Sequence, residues 1–333
     1  MSMSRRRFLS SLAAASAAAA LPSSAAPRSR TSDAQPSTRV PASCPFRLSV
    51  INDEISQDFD HACYVAAHDF GLHWIELRSM WKKNVTDLDA NELAEAQRIV
   101  KKHDLRVTDI ASPLYKVNWP GAPPKAGEKR DEFHASNDFG QQDALLEHSI
   151  GLTRTFSTDR VRCFDFWRLE NPAPYREAIN AKLRQAAESC AKRNVILLLE
   201  NEMSCNTGNA KEAVAVLNAV PNRNFMLNWD PGNAGTFPGD VPYPDGYDLL
   251  PKDRIGHCHA KNVKREPGGK YEWEPVGTGV VDWVGQLGAL RRDGYSYAVS
   301  LETHWRGAGT PEASSRISMA DLKKALAESG ASC

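Results

Sequence analysis

Val195-Ile196-Leu197-Leu198-Leu199-Glu200-Asn201-Glu202 is a run of branched apolar residues that ends in a carboxylate. Bounded by polar residues, such a run predicts a strand buried on both faces, as in a parallel sheet. The pattern recurs downstream. Residues 224–229 end in Asp230, residues 254–258 lead to His259, and residues 297–301 end in Glu302. The steps from Glu200 to Asp230 to His259 to Glu302 are 30, 29 and 43 residues. Each is about the length of a strand–helix unit, roughly 30 residues or more. Four ligand-type side chains would then stand together at the C-terminal ends of parallel strands, where an α/β barrel places its chemistry. Three carboxylates and one imidazole make a metal-site composition.

Upstream, four more strands are expected over residues 47–54, 74–78, 106–112 and 160–167, the third stopped by Pro113. Helices are expected over about 58–70, 89–103, 138–152, 175–193, 208–219 and 311–328. Eight strands alternating with helices predict a single (β/α)8 TIM barrel spanning residues 46–330. Residues 113–137, rich in Pro, Gly and Lys, have no periodicity. A loop of that length after strand three is expected to form a lid over the rim, carrying Tyr115, Lys116 and Trp119.

The chain begins differently. Ser4-Arg5-Arg6-Arg7-Phe8-Leu9 precedes an Ala-rich, mildly apolar run to Leu21, and Ser24-Ala25-Ala26 offers small residues for cleavage. Residues 1–26 therefore read as a Tat-type signal peptide and 27–45 as a flexible linker. This predicts passage through the Tat export machinery to the periplasm or beyond. Formal net charge is zero, and losing the three leader arginines leaves 38 basic against 41 acidic residues. Such a balance gives no electrostatic footprint for nucleic acid. Beyond the leader no apolar run is long enough to span a bilayer, so no membrane contact is expected of the mature chain. The seven cysteines show no CxxC pair and no regular spacing, which fits small core residues and leaves room for one bridge.

Several further residues are candidate substrate contacts. Glu202 shares the strand phase of Glu200, His257 that of His259, and His304 that of Glu302, because strand side chains alternate. Glu76 ends strand two, and Lys261 is expected either to contact an oxyanion or merely to neutralise the acidic rim. Each has a plainer alternative, since a carboxylate ending a strand is often a helix N-cap or an ion-pair partner, and a histidine a satisfied barrel residue. Trp81, Trp119, Trp229 and Trp305 offer sugar-stacking faces, although packing is the default for each.

Taken together, Leu199-Glu200-Asn201, Trp229-Asp230-Pro231-Gly232-Asn233, His257-Cys258-His259-Ala260-Lys261 and Leu301-Glu302 resemble the xylose-isomerase-like TIM-barrel superfamily. That group contains sugar-phosphate isomerases and epimerases, ketose 3-epimerases, inosose dehydratases and type IV apurinic endonucleases. Gly277-Thr278-Gly279-Val280-Val281-Asp282-Trp283 looks like the family's segment between the last two strands. The resemblance implies that Glu200, Asp230, His259 and Glu302 bind one divalent ion. The mostly hard donor set favours Mn2+, Mg2+ or Co2+, with Zn2+ open. It also implies that Glu200 and Glu302 exchange protons with a small sugar or polyol substrate through an enediolate, and that Arg265 stands near that substrate. The sequence departs from the epimerase pattern at Asn233, where those enzymes carry histidine. It lacks the extra histidines of the endonucleases, having Glu76 and Ser112 at those strand ends. The leading expectation is an isomerase or epimerase. A keto-sugar lyase or dehydratase shares the same intermediate, and a non-catalytic sugar-binding barrel would share only the fold. A homo-oligomer remains open.

Overall fold

The computed structural model describes residues 44–126 and 138–331. The expected leader, nearly all of the linker, and residues 127–137 of the expected lid lie outside the described residues. The barrel strands are β1 Arg47–Val50, β2 Trp74–Leu77, β3 Arg106–Leu114, β4 Arg160–Cys163, β5 Ile196–Glu200, β6 Phe225–Trp229, β7 Ile255–Ala260 and β8 Ala298–Leu301. All neighbours pair in parallel in the order β1-β8-β7-β6-β5-β4-β3-β2, and a bridge between Ile51 and Glu76 brings the ends of the sheet together. The result is a near-closed α/β barrel of eight parallel strands with flanking helices, as the alternation predicts.

The helices are α1 Phe59–Tyr64, α2 Ala90–Lys102, α3 Gln142–Thr155, α4 Arg176–Ala191, α5 Ala210–Ala219, α6 Trp283–Arg292 and α7 Pro311–Glu328. Local chemistry sets their starts. Asp89 and Glu92 form a reciprocal capping box at α2, satisfying backbone N–H groups that have no partner inside the helix. Asn209, Asp282 and Thr310 cap α5, α6 and α7 with their side chains. Short helical turns, Pro231–Gly235 and Tyr247–Leu249, replace a long helix after β6. No helix among the described residues is long and apolar enough to cross a membrane.

Alternation along each strand decides what faces the core. Leu197 and Leu199 of β5 join the apolar layer between strands and helices, together with Phe225 and Leu227 of β6. Leu198 points the other way, against Met226 and Gly256, and an alanine at 256 would place its Cβ 2.7 Å from Leu198 Cδ2. Phase carries Glu200 to the same interior side as Leu198.

Three strands differ from the sequence expectation, and β1, expected to run to residue 54, ends at Val50 and gives way to a 3-10 turn over Asn52–Glu54. Strand β3 does not stop at Pro113 but runs through it to Leu114. Ile110 pairs with Val161 and Leu114 with Cys163, so extra β3 residues bulge here, and a bulge tolerates the missing proline N–H. Strand β4 is shorter than expected, ending at Cys163; Phe166 then takes a positive φ of 72°. The start of the expected lid is fixed rather than free. The backbone N–H groups of Phe166 and Trp167 donate to Tyr115 and Val117, and Tyr115 is fully buried against the Phe166 ring. Trp119 packs edge-on against Phe139 and Phe166. Apolar contact with the strand-four loop is what anchors this segment. A hairpin after β7, Asn262–Glu266 with Lys270–Glu274, and helix α6 are also present without having been expected.

Candidate metal centre

Ligand atoms of Glu200, Asp230, His259 and Glu302 lie within 4.8 Å of one another, and all four residues are buried. They come from the C-terminal ends of β5, β6, β7 and β8. Around His259 Nδ1 stand Glu302 Oε2 at 3.1 Å, Glu200 Oε1 at 3.3 Å and Asp230 Oδ2 at 3.7 Å. Donors held about 2.0–2.2 Å from one small cation are separated by about 3.0–3.5 Å. The spacing therefore suits a shared divalent ion, and three carboxylates with one imidazole suit its chemistry.

Local structure sets each ligand. Asp230 splits its two oxygens: Oδ1 accepts from Asn233 N at 2.8 Å and caps the short helix, while Oδ2 faces the cluster. The plain N-cap and the ligand are thus one residue. Asn201 ties the ends of β5 and β6 together, accepting from Asp230 N and donating to Asp230 O, both at 2.8 Å. Lys261, fully buried, reaches Glu302 Oε2 at 2.7 Å and Asp230 Oδ2 at 2.9 Å. Gly232 permits this, since a side chain there would collide with Lys261 Cγ.

Each glutamate has its own buried arginine, and neither arginine has a local sequence signature. Arg162 Nη1 donates to Glu200 Oε2 at 3.0 Å. Arg78 Nη1 donates to Glu302 Oε1 at 2.5 Å, and the same guanidinium meets Glu54 at 2.7 Å and Asp53 at 2.9 Å. Burial disfavours the Glu200 anion, yet His259 and Arg162 outweigh it and lower the carboxyl to about 2. Burial also opposes ionisation of Glu302, but Lys261, His304 and His259 hold it well below the usual carboxylate range. Glu54 behaves alike: burial is outweighed by His304, Arg78 and Arg306, and its carboxyl falls to about 2.

The other expected contacts divide. Asn233 is in the cluster, its Nδ2 donating to Asn201 O at 2.9 Å and Glu200 Oε1 at 3.3 Å. His304 lies at the edge of the cluster, Nε2 3.3 Å from Glu302 Oε1. Glu76 and His257 are fully buried inside the barrel, where Glu76 contacts both His257 and His259. Glu202 sits apart from the four ligands, accepting from Ser204 and facing the Lys116 ammonium at 3.6 Å. Arg265 donates to the carbonyls of Gly235 and Asp240, so its guanidinium clips the hairpin onto the β6 loop instead of reaching the cluster. Trp229 is core, donating its indole N–H to Gln286. The hairpin supplies an aromatic that sequence reading missed. The half-buried Trp273 ring lies 5.1 Å from the Lys261 ammonium and edge-on to His304 at 5.3 Å.

Of the cysteines, Cys63, Cys163, Cys190, Cys205 and Cys258 are free and buried, while Cys44 is disulfide-bonded.

Comparison with known proteins agrees with this architecture. A family model described as "Xylose isomerase-like TIM barrel" matches residues 64–325. No curated protein matches the sequence. A xylose isomerase-like TIM-barrel protein from Mycobacterium smegmatis, solved in complex with magnesium, superposes with a TM-score of 0.62 at 15% identity, covering 86% of this chain and 98% of that one. A probable 3-DHS dehydratase of petrobactin synthesis from Bacillus anthracis gives 0.61 at 20% identity, covering 83% and 97%. D-Psicose 3-epimerase from Clostridium cellulolyticum H10, solved with D-tagatose, gives 0.60 at 14% identity, covering 85% and 98%. Barrel, strand-end cluster and family model agree: the chain belongs to the xylose isomerase-like TIM-barrel family.

Proposed function

We propose that the protein is a divalent-metal-dependent isomerase or epimerase that moves a proton next to the carbonyl of a sugar or polyol-derived ketone. One observation carries the reading. Two glutamates from separated strands, β5 and β8, converge on the same ring nitrogen, His259 Nδ1, with Asp230 beside them. Glu200, Asp230, His259 and Glu302 would hold a divalent ion, whose chemistry there would be to polarise a carbonyl and acidify the neighbouring C–H. The protein's own groups do the rest. Glu200 and Glu302 are both ionised at neutral pH, the state a base requires. Their cationic neighbours make them weak bases, so they suit a C–H that is already acidified. Approaching from different sides, one glutamate removes a proton and the other returns it. Asn233 orients Glu200, and Trp273 with His304 forms the wall beside Glu302.

Epimerases and dehydratases both occur among similar folds. The dehydratase reading is supported by His304, an imidazole whose Nε2 lies 3.3 Å from Glu302 and which would serve a leaving hydroxyl at that edge of the cluster. Incubating metal-loaded protein in D2O with ketoses and keto-acids separates the readings. Exchange at the carbon next to the carbonyl supports isomerisation, loss of water supports the lyase, and neither supports a binding protein.

We further propose export through the Tat route. The Ser4–Leu9 motif supports it, as does the disulfide at Cys44, since disulfides persist in oxidising compartments. Replacing Arg5 and Arg6 by lysine is expected to keep the chain in the cytoplasm; equal export would refute this.

A further inference from the structure

His259 is held from behind by a carboxylate shared with a second histidine. Glu76, from β2, reaches the β7 histidines and places one carboxylate oxygen on each. Oε1 is 3.0 Å from His259 Nε2, and Oε2 is 3.0 Å from His257 Nε2. The two imidazoles stand nearly perpendicular, at 88°, with centroids 5.3 Å apart. Beyond His257 the chain of polar groups continues, with Asp109 Oδ1 3.6 Å from its Nδ1 and Thr108 donating to Asp109 at 2.8 Å. Glu76, His257, His259 and Asp109 are all without solvent exposure.

We infer that Glu76 is a positioning residue that makes His259 a ligand through Nδ1 and no other atom. The inference rests on the metal reading above and follows from the tautomer that Glu76 selects. An ionised carboxylate only accepts hydrogen bonds. Each Nε2 that touches Glu76 must therefore carry a proton, and the Asn228 side-chain amide, which lies 3.1 Å from the same His259 Nε2, must then present its oxygen to that N–H. With Nε2–H committed to Glu76, the neutral His259 ring keeps its lone pair on Nδ1, which faces Glu200, Asp230 and Glu302. His257 spends its own Nε2–H on the second oxygen and so stops the carboxylate from rotating. A carboxylate behind a metal-bound histidine fixes ring orientation and raises its basicity, and losing one typically costs about 10–100-fold in metal affinity.

Glu76→Gln tests this. If the amide nitrogen of the substituted side chain takes the place of the oxygen facing His259, Nε2 must accept, and the ring proton moves to Nδ1, into the ligand cluster. If the amide oxygen stays there instead, the charge that strengthens the ligand is gone. Titration of metal-free protein with Mn2+ is expected to show about a 10–100-fold weaker Kd for Glu76→Gln than for the parent. With Co2+ at saturation, the visible absorption bands of the variant should also shift, which a merely structural role would not produce. A second measurement needs no variant. Long-range 1H–15N spectra of Zn2+-loaded parent protein should show His259 protonated on Nε2 and free of a proton on Nδ1. A Kd within about threefold of the parent with unshifted Co2+ bands, or an Nδ1-protonated His259, would overturn the inference while leaving the metal centre standing. A parent chain that binds no Mn2+ would overturn both.

Discussion

Arg78 is the sharpest place to test how the site is held together. It is 1% exposed and its guanidinium contacts three carboxylates, Asp53, Glu54 and Glu302. Arg78→Met keeps most of the volume and removes the charge. Breaking a buried ion pair by deleting one partner costs about 3–5 kcal/mol, because the remaining charge stays desolvated. At about 2 °C per kcal/mol for a domain of this size, the melting temperature should fall by about 6–10 °C at pH 7. The pH dependence gives the sign. Glu54 and Glu302 have folded-state values below those of the unfolded chain. Their stabilising contribution is thus present above the unfolded carboxylate range and lost only as pH falls through the low folded values. Without Arg78 those values rise, and protonation relieves the repulsion. The deficit should therefore be largest at neutral pH and shrink toward about pH 4.5. Thermal melts by circular dichroism of both metal-free proteins across this range provide the assay. A variant within about 2 °C of the parent at pH 7, or an equal deficit at both ends, would show that Arg78 does not hold these carboxylates together.

Metal affinity should rise with pH through the neutral range, by up to about tenfold per unit. Burial disfavours the His259 cation, but Glu76, Glu200 and Glu302 raise its value well above the ordinary one, so a metal must displace a proton; Mn2+ titrations at several pH values check this. Saturating metal at about 100 times Kd should stabilise the fold by about 2.7 kcal/mol, and a chelator should reverse the shift in melting temperature. Trp273→Ala should raise KM more than it lowers kcat, because the ring walls the site without touching the ligands; a purely kcat effect would count against that placement.

Much of this was legible because a barrel converts chain rhythm into geometry. Apolar runs such as residues 195–199 can satisfy their periodicity only as buried strands, and a polar residue ending each run arrives at the same rim. What escaped the sequence was pairing across the barrel. Arg78 and Glu302 are separated by 224 residues and Glu76 and His259 by 183, so no local pattern links them. Glu76 ends its strand and reads from sequence as either a substrate contact or an ion-pair partner; in the barrel it sits on His257 and His259. The resemblance implies Arg265 near the substrate, but the hairpin directs it to the carbonyls of Gly235 and Asp240. The same hairpin supplies Trp273, whose short flanking strands gave too few residues for a periodic signal.

Glu200 and Glu302 are proposed to act as the pair of bases. Glutamine keeps the shape and one ligating oxygen of each but removes its basicity. On whichever ketone exchanges deuterium, turnover and metal content should be measured side by side for the parent, Glu200→Gln and Glu302→Gln. Each variant should retain metal yet lose about 10²–10⁴-fold or more in turnover, while Asn233→Ala loses less. Near-parental turnover in either metal-loaded glutamine variant would contradict the claim.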